Sequence, residues 1–243
     1  MVRTIALLCL LSVAGVFSVI SMAGAADLPA IDAEVSYSSR TVTHAGVIET
    51  RQFRDILIRR PGHVWMQRVL ATSPTSPQLS GIRHANLVQG KSAITGHQHI
   101  DFDTCSQHLT QSANGEIHAE YIDHAQQTVI FVPPTEYSVS GFDGSWGNAA
   151  ALVAEKTVTA MPLSHRKTTV PGTQWREQIH DGWYKRVLWS NQQHLALVVE
   201  SGRLDGTVQR RVTAKPLVNT PDDRLPWKHL ADFNRRDYDD FMD

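Results

Sequence analysis

Alternation of apolar and polar residues is the strongest pattern in this chain, and it predicts strands. In "AEVSYSSRTVT", Val35, Tyr37 and Ser39 fall on one side and Glu34, Ser36 and Ser38 on the other. "HAG" breaks the run, "VIETRQFRDILIRR" resumes it, and Pro61-Gly62 separates it from "HVWMQRVL". Turn residues between alternating runs describe three successive antiparallel strands. The theme continues in "AITGHQHIDFDT", "EIHAEYIDH" and "QQTVIFVPP". It returns in "TQWREQIH", Asp181-Gly182, "WYKRVLWS", "NQQ", "HLALVVES", "GRLDG" and "TVQRRVTAKPL". Strands recurring at roughly ten-residue spacing predict a β-meander.

Three segments depart from the alternation. "ATSPTSPQLSG", with two prolines and five Ser or Thr, reads as a loop. "SWGNAAALVAEK" reads as a helix with Ser145 as N-cap. "DDRLPWKHLADFNRRDYDDFMD" reads as a C-terminal helix starting near Pro226, with Trp227, Leu230 and Phe233, then Tyr238, Phe241 and Met242, at helical spacing. These stripes suit a core better than a cofactor. No composition break divides the chain after its leader, so residues 27–243 are expected to form a single domain.

The leader is residues 1–26. Arg3, the apolar run "IALLCLLSVAGVFSVI" and the small residues "SMAGAA" describe a secretory signal peptide, with mature protein from near Asp27 and a periplasmic location. Cys9 lies within the apolar run and does not suit a lipoprotein signal. No later run reaches the ~18 apolar residues of a membrane span. Without Arg3, 22 basic residues face 24 acidic ones, a balance that gives no reason to expect nucleic acid as a partner. Histidine stands out at 12 copies, none in the leader. Cys105 is the lone cysteine of the mature chain and has no intrachain partner for a disulfide. It is a buried thiol, an intermolecular bridge or a ligand.

Candidate chemistry concentrates in "GHQHIDFDTCSQH", residues 96–108. Taken as a strand over 94–104, it projects Thr95, His97, His99, Asp101 and Asp103 one way and Ile94, Ile100 and Phe102 the other. Two imidazoles at i and i+2 sit about 7 Å apart at ~3.3 Å rise per residue, close enough to chelate one ion with a third ligand from a neighbouring strand. A two-residue Asn114-Gly115 turn would put Cys105 opposite His124, Gln111 opposite His118 and Asp103 opposite Gln126. His97, His99, Cys105 and His124 are thus the candidate metal or pH-sensing set, and a plain solvated strand face is the alternative. No nucleophile elbow, His-Glu-x-x-His, Cys-x-x-Cys-His, phosphate loop or dinucleotide fingerprint is present, and nothing marks an enzyme or requires a cofactor.

Arg60-Pro61-Gly62 followed by Trp65, and the later Phe102-Asp103, resemble the periplasmic lipoprotein-carrier superfamily (LolA-like). "WYKRVLWSNQQHLALVVESGRLDGTVQRRVTA" is similar to the matching part of that superfamily, including its RseB-like regulatory branch. The resemblance implies a mainly β, α+β fold: a strongly curved antiparallel sheet forming an unclosed half-barrel, with helices over the concave side. It also implies an apolar ligand, a lipid or lipoprotein acyl chain, held against Trp65, Ile100, Phe102 and Ile130. Three functions follow as expectations: a non-catalytic carrier, a metal-binding or pH-sensing protein, and an envelope regulator with a protein partner.

Overall fold

The computed structural model describes residues 28–70 and 100–241; the expected leader, the polar loop and the segment carrying His97 and His99 lie outside them. The strands are β1 (Ile31–Val42), β2 (Ile48–Arg60), β3 (His63–Arg68), β4 (Ser106–Gln111), β5 (Ile117–Asp123) and β6 (Thr128–Val132). They are followed by β7 (Thr173–His180), β8 (Trp183–Ser190), β9 (Leu195–Arg203), β10 (Val208–Pro216) and β11 (Asn234–Asp237). All join one sheet in the order β11-β6-β5-β4-β3-β2-β1-β10-β9-β8-β7. Two meanders lie back to back along the β1–β10 seam. Among the described strands only β11, beside β6, is parallel to its neighbour. The outer strands β7 and β11 do not meet, so the sheet is an open half-barrel.

Alternation decides the two faces. On β1, Ile31, Ala33 and Val35 are buried on the concave face, where Leu57, Val64, Leu109, Ala119, Ile130 and Val132 join them in the main core. Two short helices, α1 (Trp146–Ala151) and α2 (Glu155–Ala160), cover that face. Ser145 caps α1 as the sequence predicts, its Oγ accepting from Asn148 N at 3.2 Å. The predicted single helix breaks at Leu152, whose φ is +64°, and Asn148 Oδ1 accepts from Ala154 N at 2.9 Å across the break. A Cβ at Gly147 would lie 2.8 Å from that of Ala154, so only glycine lets the two segments close on each other. Val158 and Met161 then pack on Val187, Trp189 and Ala196.

A smaller core lies on the outer face, where Ile58, Trp65, Ile122 and Val129 are covered by Leu225 and Leu230. The C-terminal helix expected there does not form. In its place are 3-10 turns at Asp222–Arg224 and Pro226–His229, then β11, then a 3-10 turn at Tyr238–Phe241. Pro221 and Pro226 remove amide donors. Burial of Leu225 and Leu230, together with pairing of Asn234–Asp237 along β6, satisfies this segment better than a helix with one wet side.

Two other expectations change. Residues 100–105 are not strand: Asp101 Oδ1 accepts from Asp103 N at 3.1 Å and Asp101 O from Thr104 N at 3.1 Å, and this turn delays β4 to Ser106. The β4–β5 connection has three residues, not two. Ser112 N donates to Glu116 O and Gly115 N to Ser112 O, both at 2.9 Å, with Gly115 at φ +85°. This is a type I turn closed by a left-handed glycine. The register moves by one, pairing Gln111 with Ile117, Thr110 with His118 and Ser106 with Ile122.

The covering layers are tied to the sheet by successive arginines of β2. Arg59, only 1% exposed, donates to Pro29 O (3.0 Å), Ala150 O (2.7 Å), His194 O (3.0 Å) and Gln193 O (2.5 Å). Burial without a carboxylate lowers its pKa to about 10. Arg60 points to the other face and donates to Asp32 Oδ1 and Thr220 O, each at 2.7 Å. Asp32 Oδ2 in turn accepts from Thr220 N at 2.7 Å. Replacing Arg59 with Ala is expected to cost about 3 kcal/mol, since each buried carbonyl left without a donor costs about 1–3 kcal/mol. Urea unfolding of R59A checks this, and a midpoint equal to the wild type's would refute it.

Candidate functional site

The concave face has a filled part and an open part. On the β4–β6 side, Phe102 packs edge-on against Tyr121 (4.8 Å between centroids) and beside Tyr238 (6.0 Å). Tyr137 packs on Phe142 (4.8 Å) and donates its hydroxyl to Ile117 O at 2.8 Å. Polar tips here are satisfied locally: the Tyr121 hydroxyl accepts from Gln107 Nε2 at 2.6 Å and donates to Ser140 O at 3.4 Å.

Towards β1, β2, β9 and β10 the covering thins. Tyr37, Leu197 and Val212 are partly buried there, as are Met66, Ile100 and Phe102 elsewhere at the margin of the main core. Tyr37 stacks on Phe53 (4.5 Å), which is 38% exposed, and the Arg68 guanidinium lies 3.9 Å over the Phe53 ring. Arg68 Nε also donates to Asp55 Oδ1 at 2.6 Å. Burial raises the Tyr37 pKa, the Asp55 charge adds to the rise and Arg68 opposes it, so Tyr37 is a neutral phenol. The arrangement is an aromatic and aliphatic strip with one internal ion pair, suited to apolar matter and offering little for acid–base work.

The outer face carries a different cluster. His63 Nδ1 and His108 Nε2 are 3.2 Å apart, with the two rings within 7° of parallel. The Trp227 indole stacks over both, at 5.1 Å from His63 and 5.3 Å from His108. Glu120 Oε2 lies 3.4 Å from His108 Nδ1, and Oε1 accepts from Arg235 at 2.8 Å. The His108 hydrogen bond, more than Arg235, holds the Glu120 carboxyl down to about 2, against the resistance of burial. His108 thus stands between the two, its Nδ1 towards Glu120 and its Nε2 towards His63. Burial lowers the His63 pKa, and the charge of His108 lowers it further. Beside this cluster is an open cleft of about 580 Å³ whose lining includes Arg60, His63, Thr220, Asp222, Trp227 and Lys228.

The residues predicted from sequence divide between the faces. Ile130 is 2% exposed in the concave core, with Ile100 and Phe102 packed on it from the margin. Trp65 is 0% exposed but belongs to the outer core against Leu225 and Leu230, so it cannot share a concave ligand with the other three. Cys105 is buried in the concave core, whereas His124 lies on the outer face, its Nε2 2.9 Å from Ser106 Oγ and its ring against Trp65 and Phe233. The expected Cys105–His124 pair therefore does not exist; the three-residue turn and the Asp101 turn both remove it. His97 and His99 lie outside the described residues. Among the described residues no three His, Cys, Asp or Glu side chains are grouped to hold a metal ion. Burial, followed by the charges of Asp123 and Asp101, pushes the Cys105 thiol up to about 12.

Sequence reasoning passed over His63, His108 and Trp227 because they lie far apart in the chain. The β3–β4 register, Trp65 against His108 and His63 against Thr110, is what sets the two histidines diagonally.

No protein-family model matches the sequence, and no curated protein matches it. Solved structures show similar arrangements. PNGF-II is similar at 9% identity and TM-score 0.36 over 87% of this chain, which spans about a third (32%) of that protein's length. A domain named for outer membrane lipoprotein sorting, from Vibrio parahaemolyticus, is similar at 10% identity and TM-score 0.30, covering 82% of this chain and 91% of that one. A DUF1329 family protein from Desulfovibrio piger is similar at 7% identity and TM-score 0.30, covering 80% and 88%. These likenesses concern shape, and what the chain does rests on its own residues.

Two outcomes are expected. The Glu120 carboxyl is held at about 2 in the folded chain against an ordinary 4.5. Its contribution is therefore complete above pH 4.5 and is lost as pH falls towards 2. Urea midpoints measured from pH 5 to pH 2 should fall less steeply for Glu120→Gln than for wild type; parallel curves would contradict the assignment. Cys105 should resist alkylation by iodoacetamide at pH 8 until urea unfolds the chain, because only the thiolate reacts. Rapid labelling of the native protein would show that the thiol is not buried.

Proposed function

We propose that the protein is a non-catalytic carrier or binding protein of the cell envelope, exported by residues 1–26, that holds an apolar ligand against the concave face of the half-barrel. One observation carries the reading. The strip of Tyr37, Phe53, Leu197 and Val212 continues the main core yet stays partly exposed, so apolar surface is left where the helices do not reach. A ligand running on from there along the same core would reach its other partly buried residues, Met66, Ile100 and Phe102, with Ile130 further along in the core. Covering such a strip is favourable by about 25 cal/mol per Å² of apolar surface, which suits a lipid or lipoprotein acyl chain. Two polar pairs of the face are engaged internally, Asp55 with Arg68 and Tyr121 with Gln107, which supports a holding role over a reacting one. Among the described residues no helix is long and apolar enough to cross a membrane.

Mass spectrometry of what co-purifies, joined to titration with a fluorescent acyl chain, tests the proposal. Wild-type protein is expected to carry lipid and bind the probe. Phe53→Asp with Val212→Asp should weaken probe binding at least about tenfold, the equivalent of 1.4 kcal/mol, in a protein that still unfolds cooperatively. A wild-type protein that carries no lipid and does not bind the probe would overturn the reading.

A further inference from the structure

The strip of Tyr37 and Phe53 ends, one step further out on the same face, in a row of cations that are unpaired among the described residues. Cross-strand partners share a face, and so do residues two apart on a strand. Phe53, Tyr37, Val212 and Val199 form one row, through the pairs Tyr37–Phe53, Tyr37–Val212 and Val212–Val199. The next row is Arg51, Ser39, Arg210, Ser201, Lys185 and Gln178, each paired with its neighbour across six strands. Arg51 and Arg210 are exposed and Lys185 is half-buried. At a strand spacing of ~4.8 Å, the three cationic residues stand about 10 Å apart, with a serine between each pair. None of the three makes an ion pair or side-chain hydrogen bond among the described residues. Glu49 shares the strand and face of Arg51, yet no ion pair joins them.

The opposite face, one residue over, shows what a structural charge row looks like here. There the sequence across the strands is Ser38, Arg211, Glu200, Arg186 and Glu177. Arg211 pairs with Glu200, which Arg166 also reaches at 2.7 Å, and Arg186 pairs with Glu177 at 2.5 Å. On the outer face basic and acidic side chains alternate and neutralise one another. On the concave face the partners of the cations are serines, so the charge is left for something that is not part of the described chain.

We propose that Arg51, Arg210 and Lys185, with the Ser39 and Ser201 hydroxyls between them, bind the anionic headgroup of an amphiphile whose apolar part lies on the adjoining strip of Tyr37, Phe53, Val212 and Val199. The inference rests on the reading of the concave face as an apolar binding surface and adds the ligand's charge and orientation. Rows are about 7 Å apart along the strands, so a headgroup between two of the cations puts the first carbons of its chain over the aromatic pair. Flexible Lys and Arg side chains span the gap between rail positions, and carboxylate and phosphate are both anions they can hold.

Titration calorimetry below the critical micelle concentration tests this with dodecyl phosphate, dodecyl maltoside and inorganic phosphate. The proteins compared are wild type and the triple variant Arg51→Gln, Arg210→Gln, Lys185→Gln. Wild type is expected to bind dodecyl phosphate at least about tenfold more tightly than dodecyl maltoside. In the triple variant that preference should vanish, with maltoside affinity and thermal midpoint unchanged. Equal affinity of wild type for the two detergents would overturn the headgroup rail while leaving the apolar surface standing. A variant that weakens both detergents alike would also overturn it, by exposing a structural role. Inorganic phosphate binding as tightly as dodecyl phosphate would reduce the rail to a simple anion site and overturn the amphiphile. If wild type bound neither detergent, the concave-face reading itself would fall.

Discussion

Two adjacent side chains of β2 tie covering segments to both faces of the sheet. Successive residues of a strand point to opposite faces, so Arg59 and Arg60 reach in opposite directions from one point. Arg59 gathers four carbonyls from the N-terminal lead, the end of α1 and the β8–β9 turn. Arg60, with Asp32, gathers the C-terminal segment at Thr220. A guanidinium has five donors in a fixed plane and can serve several acceptors at once, which a lysine in the same place could not. The carbonyl of Ala150 is one of the last in α1, the end at which a helix dipole favours a cation. The cost of burying the charge is met by neutral acceptors, without a carboxylate that would fix the arrangement to one side.

With both coverings fixed, the open sheet still has two edges to protect. β7 is met by the segment 162–164: Ser164 N donates to Trp175 O, Glu177 N to Pro162 O, and Leu163 bridges to Arg176. β6 is closed by the short parallel β11, whose Arg235 and Arg236 are exposed and engage Glu120 and Asp240. Short, charged edge strands resist pairing with another chain. The C-terminal segment thus has two tasks, sealing an edge and covering the outer core, and neither needs the helix its apolar spacing suggests.

Most of the fold was legible because it is written in short-range signals. The alternation of β1, the Pro61-Gly62 and Asp181-Gly182 turns and the Ser145 cap all depend on neighbours within a few residues. The failures came where a longer-range term decided. Asn114-Gly115 reads equally as a two-residue turn or as the end of a three-residue one, and the choice moved Cys105 and His124 to opposite faces. Trp227 and Leu230 carry helical spacing, but Leu225 and Leu230 are drawn into the outer core by residues far earlier in the chain. His63 and His108 meet only through the β3–β4 register. Pairing partners across several strands are invisible to periodicity, which reports which face a residue takes and not what it faces.

The same limit explains why the cationic row escapes a reading of composition, and the sheet itself shows that its register is specific. Near the turn, β8 and β9 pair Lys185 with Ser201 and Arg186 with Glu200; beyond the irregularity between Leu188 and Trp189 the pairing shifts by one, setting Trp189 against Ala196. If the shifted register held along the whole pair, Lys185 would face Glu200 and be neutralised, while Arg186 would face Val199. The extra residue is Leu197 of β9: it lets Ala196 join Trp189 against α2 while Lys185 stays beside a serine. A bulge of this kind re-aims side chains at a local cost in pairing. Here it separates the part of the sheet that packs from the part that presents charge.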